Sequence, residues 1–383
     1  MLSIAARRML LILICATLSL TACASDEDGF RPMFNGRDLT GWVLTNTPPE
    51  TWRFQDLMLV CSGKPIGELR TKKMYQNFIM ELEWRHMVPR GNAGIFVWAD
   101  DITSRGVPFH RGIEVQVLEN AYGNNRSHTT HGDIFPIHGA TMTPINGRGG
   151  SRAFPTESRS KPSPEWNHYR IECRDGEISL AVNGKVVTRG KDCVPRMGYI
   201  CLESEGGVVH YRNVRIKELP ATKLSPDHVA IANRGYRSLY TGLNLNGWTA
   251  GDAGQWTPKD WVLAYEGDRE SAGTLQSTET FEDLGFVADV KLKKQGSNAV
   301  IQAGPAVSVD LSDPQIAKHL EPQGRWNRLE GSLKKGTFQL TINGHSLETI
   351  RVAIPDRKAS LKLSAVGSVD FCNLYGRSVP DAE

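Results

Sequence analysis

The sequence predicts an all-β chain made of two β-sandwiches in tandem, and three observations carry that reading. Apolar and polar residues alternate with period two in Ile113-Glu114-Val115-Gln116-Val117-Leu118, in Phe78 to Trp84, in Tyr169 to Cys173 and in Val208 to Lys217, the spacing of strands that bury one face. Turn pairs that tolerate positive φ, Asp175-Gly176, Asn183-Gly184 and Asn343-Gly344, separate such runs and mark primed hairpins. The chain also repeats itself. Met33-Phe34-Asn35-Gly36-Arg37-Asp38-Leu39-Thr40-Gly41-Trp42 returns as Leu239-Tyr240-Thr241-Gly242-Leu243-Asn244-Leu245-Asn246-Gly247-Trp248 at an offset of 206. Asn92 maps to Asn298 at the same offset, but Trp166-Asn167, Val182-Asn183-Gly184 and Arg212-Asn213-Val214 map to Trp326-Asn327, Ile342-Asn343-Gly344 and Cys372-Asn373-Leu374 at 160. The first copy therefore holds 46 residues between Asn92 and Trp166 that the second lacks. A repeat of this length means two like domains, because solenoid units run only to tens of residues.

Read in order, residues 1–22 are expected to be an export signal. Arg7 and Arg8 precede an apolar run from Met9 to Leu20 that is too short to span a bilayer. Leu20-Thr21-Ala22-Cys23 follows and resembles a bacterial lipoprotein lipobox, which implies Cys23 as the acyl acceptor of a lipid-anchored envelope protein, with residues 23–29 as a polar tether. Residues 30–219 form the first sandwich, 220–234 a linker with one short helical turn, and 235–383 the second. Of the seven cysteines, Cys61, Cys173, Cys193, Cys201 and Cys372 remain in the body. An odd number cannot all pair, and Cys173 with Cys193 or Cys201 stands as a candidate disulfide beside buried free thiols. The formal charge of +3 over 383 residues gives no electrostatic case for nucleic acid.

Phe34-Asn35-Gly36-x-Asp38-Leu39-x-Gly41-Trp42, Gly91-Asn92-Ala93-Gly94-Ile95-Phe96, Gly112-Ile113-Glu114-Val115-Gln116-Val117, Glu165-Trp166-Asn167, Val182-Asn183-Gly184 and Tyr211-Arg212-Asn213 together resemble the 3-keto-disaccharide hydrolase domain family, through residues 33 to 219 and more weakly through 238 to 377. The resemblance implies two concanavalin A-like jelly rolls and cleavage of glycosides already oxidised at C3. Many members carry Gln-Asp-His-Gly before the last strand, where this chain has Glu203-Ser204-Glu205-Gly206.

The candidate site follows from alternation and from the missing piece. On Gly112 to Leu118 the side chains of Glu114 and Gln116 share the face opposite Ile113, Val115 and Val117. The second copy has Ser308 and Asp310 in their places, although it keeps the Trp, Asn-Gly and Asn framework. Glu114 is therefore expected to serve chemistry, with His131 and His138 of the 46-residue insertion as catalytic partners. His128 lies in the same loop, in what reads as an exposed turn. Asn92, Gln116, Trp98 as a stacking platform, Glu203 and Glu205 are expected to bind substrate. A C3 carbonyl acidifies the C2 proton, so a base near neutral pKa and an electrophile on the C3 oxygen suffice for elimination of the C1 group, after which water adds back. One divalent metal on Glu114, His131 and His138 is the candidate electrophile. The partners expected are a 3-keto glycoside, the membrane, and a sugar 3-oxidoreductase that makes the substrate. The competing reading is a pair of lectin-like modules, since fold alone does not fix activity.

Overall fold

The computed structural model describes residues 28–122, 131–251, 255–268, 270–353 and 357–380; Cys23 and His128 lie outside them. Nearly every regular element is a strand, and the sheets are antiparallel. In the first sandwich a nine-stranded sheet, centred on Phe78–His86, Asn167–Arg174 and Val209–Glu218, faces a six-stranded one. The six-stranded sheet runs in the order Trp42–Thr45, Gly67–Thr71, Tyr199–Ser204, Asn92–Ala99, Gly112–Leu118, Ile134–Ile137. Between them sit Phe78, Met80, Leu82 and Trp84 from one sheet and Ile95, Val97, Ile113, Val115, Val117, Ile200 and Leu202 from the other. That interleaving is what alternation with one apolar face requires. The second sandwich pairs a nine-stranded with a five-stranded sheet and has its own core, including Phe286, Val290, Leu329, Leu361 and Phe371.

The turn pairs adopt the conformation their chemistry favours: Asp175, Asn183 and Asn343 have φ of 51°, 47° and 50°, and the glycine after each is also positive. The linker contains the 3-10 turn Pro226–His228. It is docked along the first sandwich, with Ile231 N donating to Asp100 Oδ1 at 3.0 Å and Arg234 Nε to Asp101 Oδ1 at 2.8 Å. All five body cysteines are buried free thiols, so the Cys173 pairing is not formed.

One sequence expectation fails here for a local reason. Trp98 should point outward with Phe96, but its φ is +55° and the register slips between Tyr199 and Cys201 on the neighbouring strand. That irregularity turns the indole into the core, where it is fully buried and donates through Nε1 to Gln76 O at 2.8 Å. Trp98 is scaffold and offers no sugar-stacking face. Trp98→Ala should therefore cost about 3–5 kcal/mol of unfolding free energy, read from the urea midpoint, whereas a stacking residue would lower sugar affinity without moving that midpoint.

Candidate active site

Four glutamates meet on the outer face of the six-stranded sheet. Strand register places Glu203 beside Glu68 and opposite Gly94, and Glu114 beside Phe96, whose other neighbour is Cys201. Glu68, Glu203 and Glu114 are 0%, 2% and 7% exposed, and Glu205 is half-buried at the rim. Gly94 makes the crowding possible. A Cβ there would stand 2.9 Å from Glu114 Oε1 and 3.0 Å from Glu203 Oε2, inside the packing limit of both carboxyls. The strand Gly112–Leu118 is buried on both faces, because the connection 100–111 folds back over the sheet. There Phe109, with Met74, Ile137 and Ala232, packs on Phe96, Ala99, Tyr199 and Cys201.

Burial of like charges sets the protonation. Burial, then repulsion from Glu205, raises Glu114 well above the usual carboxylate range, with Arg152 opposing. Burial, then Glu205 and Glu114, raises Glu203 likewise. Burial pushes Glu205 up to about 7, against a hydrogen bond from Glu203 that favours its anion. At neutral pH the cluster therefore keeps Glu114 and Glu203 protonated and shares its titration with Glu205. A side-chain relay orients that group: Gln116 Nε2 donates to Asn92 Oδ1 at 3.0 Å, and Asn92 Nδ2 donates to Glu205 Oε2. So Glu114, Gln116, Asn92, Glu203 and Glu205 do converge.

The histidines do not. His131 is buried, with both ring nitrogens lacking a partner among the described residues. The carboxylate acting on it is Glu119, while burial holds its pKa down to about 4. His138 lies at the surface on a turn with φ +53°; burial, then repulsion from His110, lowers its pKa, so it borders the Glu68–His110 end of the face without joining the donors there. The expected metal set of Glu114, His131 and His138 is therefore not assembled. Instead, among the described residues, Glu68, His110 and Cys201 bring one donor atom each within 4.8 Å of the others. His110 N donates to Glu68 Oε2 at 3.1 Å and Nδ1 contacts the same oxygen, while Cys201 Sγ is 3.6 Å from Nδ1. Burial raises Glu68 and lowers His110 to about 3, so both favour their neutral forms and the contact is an acid–imidazole hydrogen bond.

Glu68, His110 and Arg152 were not singled out from the sequence. Glu68 had a signal, since the test that picked Glu114 also picks it. By strand register Thr274 stands in the second sandwich where Glu68 stands in the first, Ser364 stands for Glu203 and Ser308 for Glu114. Every one of these buried carboxyls is a hydroxyl in the other copy. A groove of about 600 Å³ lies on the opposite sheet over Phe34, Phe54, Glu83, His168 and Arg212. Its acids are neutralised, Glu81 by Arg170 and Arg215 and Glu83 by Arg212, which leaves the imidazole of His168 without a cluster of acids to work with. The chemistry therefore points to the glutamate face.

Two outcomes follow. Gly94→Ala should displace Glu114 or Glu203 and abolish activity in a protein that still folds, as checked by circular dichroism. For Glu205, a folded pKa of about 7 exceeds the ordinary value of about 4.3. The folded state thus binds the proton more tightly, and its stability falls as pH rises from about 4.3 through about 7. Glu205→Gln removes that loss, so the gain in melting temperature over the parent should be larger at pH 8 than at pH 4; an equal gain at both would contradict the raised pKa.

Residues 29–217 match the model of the 3-keto-alpha-glucoside-1,2-lyase-like domain. Among solved structures, two candidate glycosyl hydrolases from Parabacteroides distasonis are similar. One is 22% identical with a TM-score of 0.40, covering 50% of this chain and 95% of its own. The other is 24% identical with a TM-score of 0.37, covering 50% and 99%. A carbohydrate-binding module from Bacillus subtilis is 12% identical, with a TM-score of 0.33 and coverage of 46% and 96%. No curated protein matches in sequence. With the strand order, the glutamate face and the family match of residues 29–217 in hand, the amino-terminal sandwich of this chain belongs to the 3-keto-alpha-glucoside-1,2-lyase-like domain family.

Proposed function

We propose that the glutamate face cleaves glycosides carrying a C3 ketone, by removing the C2 proton and expelling the C1 substituent. The observation that carries this reading is a carboxylate titrating near 7 at the rim of a cluster of protonated acids, in a domain whose family is described by that substrate class. Glu205, held by Asn92, takes the C2 proton, and its raised pKa makes it a stronger base than an ordinary carboxylate while leaving it ionised above pH 7. The electron pair of the C–H bond moves into the C2–C3 bond and the carbonyl π pair onto the C3 oxygen. Protonated Glu203 and Glu114 donate to that oxygen, offsetting charge where it develops. The enolate then re-forms the ketone as its electrons displace the C1 oxygen, which leaves as an alcohol after taking a proton. Water adds to the resulting unsaturated ketone, so the net reaction is hydrolysis. Glu205, first counted among substrate-binding groups, is here the base, and His131 and His138 have no step. Should a divalent ion bind, Glu68, His110 and Cys201 are the donors suited to hold it, and it would add positive charge beside the acids. A sugar 3-oxidoreductase supplies the substrate, and Cys23 anchors the chain to the envelope; Cys23→Ser should release the protein from the membrane fraction of its host.

Activity on a 3-keto disaccharide should rise about tenfold per pH unit below about 7 and level off above it, and Glu205→Gln should lower kcat by about 10²–10⁴-fold. Turnover in heavy water should place deuterium at C2 of the released keto sugar. Efficient cleavage of the unoxidised disaccharide with no label at C2 would replace elimination by an ordinary two-carboxylate mechanism.

A further inference from the structure

The connection between the strands Asn92–Ala99 and Gly112–Leu118 is a second place where the two sandwiches differ in length. The corresponding strands of the second unit, Asn298–Ala303 and Val307–Asp310, are joined by residues 304–306 alone. In the first, the chain runs out as a closed hairpin: Thr103 and His110 form a β-bridge, Ser104 N donates to Phe109 O at 2.8 Å, and Val107 N to Ser104 O at 3.3 Å. Its base lies on the glutamate face, with His110 on Glu68 and Phe109 on the Phe96 cluster. Its tip lies in the second sandwich.

The tip is held there by a full set of polar contacts. Asn373, fully buried, donates through Nδ2 to Ser104 O at 2.7 Å, Val107 O at 2.9 Å and Asp289 Oδ2 at 2.8 Å, and its Oδ1 accepts from Asn46 Nδ2 at 2.9 Å. Gly106 N donates to Asp289 Oδ2 at 2.7 Å, and Asp289 is itself fixed by both ends of the Arg328 fork at 2.8 Å. Gly106 has φ +71°, and a Cβ there would overlap the Trp326 ring. Thr103 Oγ1 and Tyr375 OH are 2.9 Å apart, and Ile102 is buried with Val287 and Tyr375. Among these, Trp326 of Trp-Asn and Asn373 of Cys-Asn belong to the framework shared with the first copy, and Arg105 Nη1 donates to Asn343 Oδ1 of the shared Asn-Gly at 2.8 Å.

We infer that the second sandwich is a clamp for the reaction site, and that Asn373 and Asp289 are positioning residues which hold the 103–110 hairpin so that His110 and Phe109 stay closed over Glu68 and its neighbours. The inference concerns the site proposed above and rests on that reading for its catalytic consequence. The geometry explains why so few residues suffice. Only His110 and Phe109 need to be placed, they lie two to four residues from the clamped tip, and the Thr103–His110 bridge ties the base to it. Water excluded by that closure is what keeps the carboxyl cluster desolvated.

The test uses the full chain with Asn373→Ala and Tyr375→Phe, the second being isosteric and removing only the bond to Thr103. Amide hydrogen exchange of residues 103–111, read without substrate, should rise at least tenfold in Asn373→Ala, with the core strands of both sandwiches as protected as in the parent. The pH–rate limb near 7 should move toward lower pH as water reaches the glutamates, and kcat should fall at least tenfold. Unchanged exchange in the hairpin would overturn the clamp; loosened exchange with an unmoved limb and unchanged kcat would overturn the positioning role. If Asn373→Ala fails to fold, Tyr375→Phe carries the same readings, with a rise of at least threefold in hairpin exchange expected and none counting against the clamp. Absence of turnover on 3-keto disaccharides by the parent would instead reject the proposed reaction, and the exchange measurement would still decide the clamp.

Discussion

The constraint on which this molecule depends is the burial of several carboxyl groups on one sheet face. Removing a carboxylate from water costs several kcal/mol unless it is paired or protonated, and the outer face of the six-stranded sheet crowds Glu68, Glu114 and Glu203 with Glu205 at its rim. Protonation is the cheaper escape, which is why all four sit above the ordinary carboxylate range. The surroundings then fall into place as ways of making that face habitable. Gly94 withdraws a Cβ from between two of the acids, Arg152 from the insertion opposes the charge on Glu114, and Glu68 finds an imidazole in His110. The hairpin and linker roof the face against water. The second sandwich, with Thr274, Ser308 and Ser364 on the equivalent face, carries no such burden and needs no roof.

The same framework serves different ends in the two units. Asn213 and Asn373 occupy the same bulged position, with φ of 52° and 48°, a left-handed conformation that asparagine tolerates better than most residues. In the first unit Asn213 donates to Glu83 on an open, arginine-neutralised surface. In the second, the counterpart pair Asn373 and Asp289 is buried and receives a turn of the neighbouring unit. Around it, Val287 and Tyr375 stand where the first unit has Glu81 and Arg215, so the face that is charged in one copy is an apolar interface in the other. The two faces thus differ by an apolar pair in place of a salt-bridged one, while Asp289 keeps an arginine partner in Arg328.

The fold was legible in the sequence because its signals are local. Period-two alternation and Asn-Gly turns are written in neighbouring residues, and the strands stand where those patterns put them. The candidate site was legible in part. Asn92, Gln116, Glu203 and Glu205 were named from neighbouring segments and Glu114 by comparison with a copy that lacks it, and Glu68 would have yielded to the same comparison carried along its own strand. His110 could not be found that way, since the connection bearing it has no counterpart to compare. The errors share a cause in the third dimension. Trp98 broke the alternation through one positive φ, and His131, expected beside Glu114, is instead buried under the influence of Glu119 because the loop begins inside the protein. Neither a single left-handed residue nor the depth at which a loop starts leaves a mark in residue order.

The sign of the local charge bears on the chemistry as well. Cleavage through an oxocarbenium ion builds positive charge at the anomeric centre, and an enzyme for it wants an ionised carboxylate close by in the ground state. Removal of a proton beside a ketone builds negative charge on an oxygen, and wants neutral donors with one base. Burial here drives the deeper glutamates to the neutral form and leaves the rim glutamate to titrate near 7. A face that crowds carboxyls until they surrender their charge is poor at stabilising a cation and well suited to receiving an oxyanion. The cost of desolvating Glu68, Glu114 and Glu203 is thus the source of the donors that the proposed elimination would use, and any change that admits water to the face would weaken both together.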